Sequence, residues 1–321
     1  MSGDQKLPNL IIAGAQKAGT SSLFWYLAQH PQICASDRKE LRYFTPRRDD
    51  DEAELGPTAE YAAHFRHCSG ERYRMEATPG YIYGGRPLVT AMQETLTDVH
   101  VVISLRDPIT RFWSAFNFVR SRMRVDQDMS FDDYLDTCQR LRADGIDGRP
   151  EHNAYWALSG GFYADYVEDW LELLGDRLKI VFFDDLVDDP MRVTTEICAW
   201  LSIDDIVTRD FDYEAENRSV FYRASALQRI ALSVNRSAEL FFNRHRGLKR
   251  VLKRVYYAVN AHTGRQPRPA ADAHERLAAI YASSNQRLAE QLRRHGYRSL
   301  PSWLQPAGAV TEPHPGTRSE R

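Results

Sequence analysis

Short, continuous apolar runs punctuate the chain, and stretches with helical spacing alternate with them. The first run, "LPNLIIAGA" (7–15), is rich in Ile and closes on glycine, which reads as a strand buried on both faces. Behind it, "TSSLFWYLAQHP" sets Leu23, Tyr26 and Leu27 on one helical face and puts Pro31 just past the end. "DVHVVISL" (98–105) predicts a second buried strand. The helix after it, "DPITRFWSAFNFVRSR", has Asp107 as its N-cap and Pro108 in its first turn. "RLKIVFFDDL" (177–186) predicts a third strand, preceded by an amphipathic helix over "GFYADYVEDWLELLG" (161–175). "RYRMEAT" (72–78) predicts a fourth. Helices alternating with buried strands imply an α/β fold: a P-loop-like, doubly wound parallel sheet flanked by helices.

After about Asp210 the pattern changes. Residues 223–260 and 271–294 read as helical, without a strong strand, and are expected to form a C-terminal helical cap on the same domain. The tail, "PAGAVTEPHPGTRSER", is rich in Pro, Gly and charge and reads as disordered. The expected organisation is a flexible N-terminus (1–7), one domain (8–305) and a disordered tail (306–321).

Composition changes this picture little. The chain has 321 residues, 43% hydrophobic and 27% charged, which is ordinary for a globular protein with a large core. A net charge of -2 gives no global attraction to nucleic acid or an anionic membrane. The four cysteines, Cys34, Cys68, Cys138 and Cys198, form no C-x-x-C pair and no zinc pattern. They are expected to be reduced, without a disulfide, as suits a cytoplasmic protein. No segment reads as a signal peptide or a transmembrane span.

The candidate chemistry starts in "IIAGAQKAGTSS" (11–22). Gly14 and Gly19 have the separation of a nucleotide phosphate loop, but Thr20 stands where that loop has its lysine, and the lysine comes earlier, at Lys17. A strand–glycine–helix junction presents backbone amides and a positive dipole end to an anion. Thr20, Ser21 and Ser22 add hydroxyls at the first turn, and Lys17 adds a mobile charge. A magnesium-dependent kinase would need an Asp after another strand. The best candidate strand is followed first by Arg106, a cation that disfavours a metal and favours a bare phosphate. Ser114 lies roughly two turns along the next helix, and Arg106 is expected to face the same crevice as Lys17.

Together these residues resemble the sulfotransferases that use 3′-phosphoadenylyl sulfate (PAPS). The family's 5′-phosphosulfate pattern, K-x-G-T-[ST], is matched by "KAGTSS", covering Lys17, Ala18, Gly19, Thr20, Ser21 and Ser22. Its 3′-phosphate motif is matched by Arg106 and Ser114. "KELRYF" (39–44), "EATPGY" (76–81), "IVFFDDLVDDP" and "LPSWL" (300–304) resemble the heparan-sulfate-type enzymes and their soluble bacterial relatives, so the resemblance runs from Pro8 to about Leu304. It implies PAPS as co-substrate, no metal, Lys17 stabilising the leaving phosphate and Glu40 as general base. It also implies that the later loop (216–229) closes over the cofactor through Arg223, with Arg218, Arg265 and Arg268 as alternatives. His30, at a helix end before Pro31, is expected to be a capping residue and the lesser candidate for the base. One departure is Ala77, where the subgroup often carries a lysine, so a second cation at the sulfonate is either missing or supplied elsewhere. The acceptor stays open among carbohydrate, lipid and small molecule. The alternatives are a P-loop small-molecule kinase and a nucleotide-binding module without catalysis.

Overall fold

The structure is a computed structural model that describes residues 6–46, 53–213, 221–222, 261–262 and 271–305. In chain order its elements begin with β1 (Leu10–Gly14), α1 (Thr20–Leu27), β2 (Ile33–Ala35), α2 (Thr58–Ala63), β3 (Tyr73–Ala77), α3 (Gly85–Thr95) and β4 (His100–Leu105). They continue with α4 (Pro108–Ser121), α5 (Phe131–Ala143), α6 (Val167–Leu174), β5 (Leu178–Phe182), α7 (Phe183–Asp188), α8 (Pro190–Trp200) and α9 (Ala271–Arg294). Contacts divide the chain into two compact units.

The first unit comprises Met1–Pro108, Phe162–Tyr213 and Leu277–Arg321 and holds the entire main sheet. That sheet has five parallel strands in the order β2-β3-β1-β4-β5. The expected doubly wound architecture is therefore present. All five residues of β1 are buried, as are Val101–Leu105 of β4, because helices cover both faces of a parallel sheet. On one face, Leu23 and Leu27 of α1 and Val193 and Ile197 of α8 join Leu10, Ile12 and Met75 in one core. β1 is central, with β3 on one side and β4 on the other, so the chain order reverses across it. In such sheets ligands gather at this reversal, beyond the strands' C-terminal ends.

The second unit comprises Ile109–Gly161 and Glu214–Arg276. Phe112 and Phe116 of α4 pack against Phe131 and Tyr134 of α5 in an aromatic cluster. α5 starts at Ser130, whose hydroxyl accepts from Asp133 N, a side-chain N-cap.

Three sequence expectations change. The helix expected over 161–175 is broken: a 3-10 turn at Tyr163–Asp165 precedes α6, and Gly175 ends α6 in left-handed backbone at φ 52. The short edge strand β2 was not expected. Cys34 and Cys68 are joined in a disulfide, while Cys138 and Cys198 are free and buried. The bridge was illegible because its partners are 34 residues apart and meet only once β2 and the turn after α2 come together. Of the expected helical cap, 271–294 is helical as α9, whereas 223–260 and the tail 306–321 lie outside the described residues. Among the described residues no helix is long and apolar enough to cross a membrane.

Candidate active site

β1 ends on Gly14, where a Cβ would lie 2.7 Å from the side chain of Ile82. The loop that follows is strapped to β4: Ala15 N donates to Ser104 O at 2.7 Å, and the Ser104 hydroxyl donates to Ala18 O at 2.6 Å. Lys17 and Gly19 take left-handed backbone, at φ 68 and 79. Gly19 is required twice over, by that φ and because a Cβ there would sit 2.9 Å from the Phe183 ring. Gly19, which supplies no side-chain cap of its own, is also the N-cap of α1. Its first-turn amides and positive dipole end are the donors that an arriving anion would take. Thr20 is buried in this turn, and Ser21 and Ser22 are half-buried.

Arg106, just past β4, closes on the same loop. Its Nη1 donates to Lys17 O at 3.1 Å, and its guanidinium lies over the Phe183 ring, 4.4 Å from the centroid. Its carbonyl accepts from the Tyr163 hydroxyl at 3.0 Å. The two sequence-predicted anion residues thus meet at the C-terminal ends of β1 and β4. Ser114 is buried on α4, in the second unit. Arg223, Arg218, Arg265 and Arg268 lie outside the described residues.

Glu40 belongs to a segment laid along the end of β3. Its N donates to Ala77 O at 3.0 Å, and Arg42 N donates to Thr78 Oγ1 at 3.2 Å. Glu40 and Arg42 both adopt left-handed backbone, at φ 60 and 61. Such conformations in non-glycine residues cost of order 1–3 kcal/mol each and concentrate at functional sites. The exposed Glu40 carboxylate pairs with Arg42 at 3.2 Å. His30 has a structural role: its Nδ1 accepts from Gln32 N at 3.0 Å, and its Nε2 lies 2.6 Å from Asp204 O. A carbonyl can only accept, so Nε2 carries the proton and both ring nitrogens are occupied.

Two features were missed from sequence. Lys39 Nζ donates to Ser21 Oγ at 2.8 Å, joining the Glu40 segment to the first turn of α1. Beneath that segment, the fully buried Glu76 carboxylate accepts from the hydroxyls of Tyr61, Thr78 and Tyr81. Burial pushes the Glu76 carboxyl above its ordinary value, and those three hydroxyls oppose the shift. The only available signals were Lys39's place beside Glu40 and an acidic residue between the apolar Met75 and Ala77.

Among the described residues, Cys34, His67 and Cys68 have a spacing that a metal could bridge, their ligand atoms lying within 4.8 Å of one another. The disulfide leaves neither sulfur as a thiolate, so in this form the cluster is not a metal site.

A parallel sheet whose central phosphate-type loop is met by an arginine from the next strand places this chain among the P-loop-like α/β proteins. The family model of the sulfotransferase domain matches residues 7–245, and the chain belongs to that family. It is 26% identical to human heparan sulfate glucosamine 3-O-sulfotransferase 3B1 over 208 residues, covering 64% of this chain and 49% of that protein. It is 35% identical to the membrane-associated sulfotransferase kil1 of Dictyostelium discoideum over 115 residues, 35% of this chain and 23% of that protein. The chain thus spans about half or less of the length of these curated relatives. The crystal structure of a sulfotransferase from Alicyclobacillus acidocaldarius has the same fold, with a TM-score of 0.62 at 23% identity, covering 93% of this chain and 99% of that one.

Proposed function

We propose that the chain is a PAPS-dependent sulfotransferase acting on a hydroxyl or amine of a carbohydrate, lipid or small-molecule acceptor. The observation that carries this reading is the contact between Arg106 and the Lys17 carbonyl, which puts a cation from β4 onto the phosphate-type loop. The donor set suits a multiply phosphorylated nucleotide: lysine, arginine, hydroxyls and the N-terminus of α1. PAPS supplies a sulfuryl group carried on a phosphate leaving group. In this reading, Lys17, Ala18, Gly19, Thr20, Ser21 and Ser22 hold the 5′ end, and Lys17 neutralises charge on the departing oxygen. Arg106 grips the 3′-phosphate. Ser114 and Arg223 are assigned to the cofactor from the sequence motif alone. Glu40 takes the acceptor proton, and its segment is held for that purpose by β3. Positive charge comes from side chains, so the scheme uses no metal.

The name of the 3-O-sulfotransferase relative makes carbohydrate the first acceptor class to try. A cytoplasmic location is proposed from the sequence, and the Cys34–Cys68 bridge weighs against it by favouring an oxidising compartment.

The test is transfer of radiolabelled sulfur from PAPS to glycosaminoglycan, glycolipid and phenolic acceptors by the purified chain. Label is expected in at least one class. Glu40→Gln should reduce it ~10²–10⁴-fold while leaving nucleotide affinity intact. Donor binding without transfer to any class would contradict an enzyme, and a fully active Glu40→Gln variant would move the base elsewhere.

A further inference from the structure

Lys39 stands immediately before Glu40, on the segment that β3 fixes through Ala77 O and Thr78 Oγ1. From there its side chain crosses to the phosphate-type loop, where Nζ donates to Ser21 Oγ at 2.8 Å. The neighbouring Glu40 carboxylate pairs with Arg42 at 3.2 Å. Lys39 as a residue is half-buried, but its amine end is largely enclosed by protein. That enclosure pushes the ammonium down to about 8, against the pull of Glu40, and leaves it mostly charged at neutral pH. A partly desolvated ammonium whose described hydrogen bond goes to a neutral hydroxyl is poorly compensated. Its partner belongs to the first turn of α1, at the positive end of that helix's dipole. An anion arriving there supplies the charge that the ammonium lacks. The pattern at the end of β3 left a second cation unaccounted for at Ala77, and Lys39 enters the site beside that residue.

We propose that Lys39 is a catalytic cation of the transfer step: it exchanges Ser21 for the sulfonate oxygens of the bound donor. This rests on the sulfotransferase reading above. In the step, a bond forms from the acceptor oxygen or nitrogen to sulfur as the bond from sulfur to the bridging phosphate oxygen breaks. The electron pair stays on that phosphate oxygen, where Lys17 balances it, and the acceptor proton passes to Glu40. Lys39 exchanges no proton; it holds the sulfonate while sulfur changes partners.

Binding without acceptor separates this role from a structural one. PAPS and adenosine 3′,5′-bisphosphate differ in the sulfonate, so their affinities are measured for wild-type, Lys39→Ala, Lys39→Met and Lys39→Arg. Loss of a charged hydrogen bond should weaken PAPS roughly tenfold or more in the Ala and Met variants. Bisphosphate affinity should stay within about twofold, since without a sulfonate Lys39 keeps its hydrogen bond to the Ser21 hydroxyl. Lys39→Arg should recover part of the PAPS affinity. If the Ala variant does not fold, the Met and Arg variants carry the comparison. Equal losses for both ligands would make Lys39 a scaffold of the loop, and unchanged PAPS affinity would remove it from the site; either overturns the proposal. Wild-type protein that binds neither nucleotide would overturn the sulfotransferase reading itself, a result distinct from variants that match a binding-competent wild-type.

Discussion

Lys17 leaves its loop from left-handed backbone whose carbonyl is held by Arg106, so the loop carries the side chain on a fixed base. Charge develops on the leaving oxygen only during transfer, and binding that is stronger in the transition state shows as rate. Lys17→Ala is therefore expected to lower turnover ~10²–10³-fold, with a far smaller loss of bisphosphate affinity. Steady-state rates set beside equilibrium binding check this, and wild-type turnover would contradict it. Glu76 gives a second expectation, in pH. Burial holds its folded carboxyl above the ordinary value of 4.5, so the native protein keeps a proton that the unfolded chain releases as pH rises. Stability then falls by up to about 1.4 kcal/mol per pH unit until Glu76 itself ionises. Glu76→Gln lacks that titration. Between about pH 4.5 and neutrality the stability gap should move in the variant's favour, whatever its starting offset. Chemical denaturation of both proteins across that range tests it, and a gap moving toward wild-type would refute the assignment. Lys17 and Arg106 were legible because each follows a recognisable strand. Lys39 on Ser21 and Tyr61 on Glu76 were not, because contacts 18 and 15 residues apart between different elements leave no periodic trace.

Four of the five main strands were readable: β1, β4 and β5 as apolar runs, because a parallel strand covered on both faces needs such a run, and β3 despite Arg74 and Glu76. β2 has only Ile33, Cys34 and Ala35, too few to show a period, and it is at the sheet edge. Yet β2 leads directly into the segment that carries Lys39 and Glu40. Its partner in the disulfide, Cys68, follows α2, so the bridge closes a loop around that whole segment. Closing a loop of this length removes roughly 4 kcal/mol of unfolded-state entropy in the chain model. Reduction, or replacement of both Cys34 and Cys68 by serine, is expected to lower the melting temperature by several degrees. It should leave the replaced protein insensitive to further reductant. Melting curves with and without dithiothreitol decide this, and a wild-type curve unmoved by reductant would contradict it. Helix ends were less legible than strands: the run over 161–175 has continuous helical spacing, yet Tyr166 departs from helical backbone at φ -124.

At the scale of the whole molecule, the sheet order places the ends of β1 and β4 side by side, and the Lys17 loop and Arg106 meet there. The fold class and this pairing were legible together, since each anchor is a residue type set against a strand end. Ser114, Arg218, Arg223, Arg265 and Arg268 were named from sequence motif alone. This cluster of lysine, arginine, hydroxyls and helix N-terminus is proposed to read a bisphosphorylated nucleotide without a metal. The most direct measurement is a thermal melt of the full chain with adenosine 3′,5′-bisphosphate or with ATP, each with magnesium or with EDTA. A ligand at a hundred times its Kd adds about 2.7 kcal/mol to the native state, enough to move the transition. On that reading, stabilisation by the bisphosphate should be unchanged in EDTA, and ATP with magnesium should give little. Magnesium-dependent stabilisation by ATP, with none from the bisphosphate, would contradict it and restore a kinase.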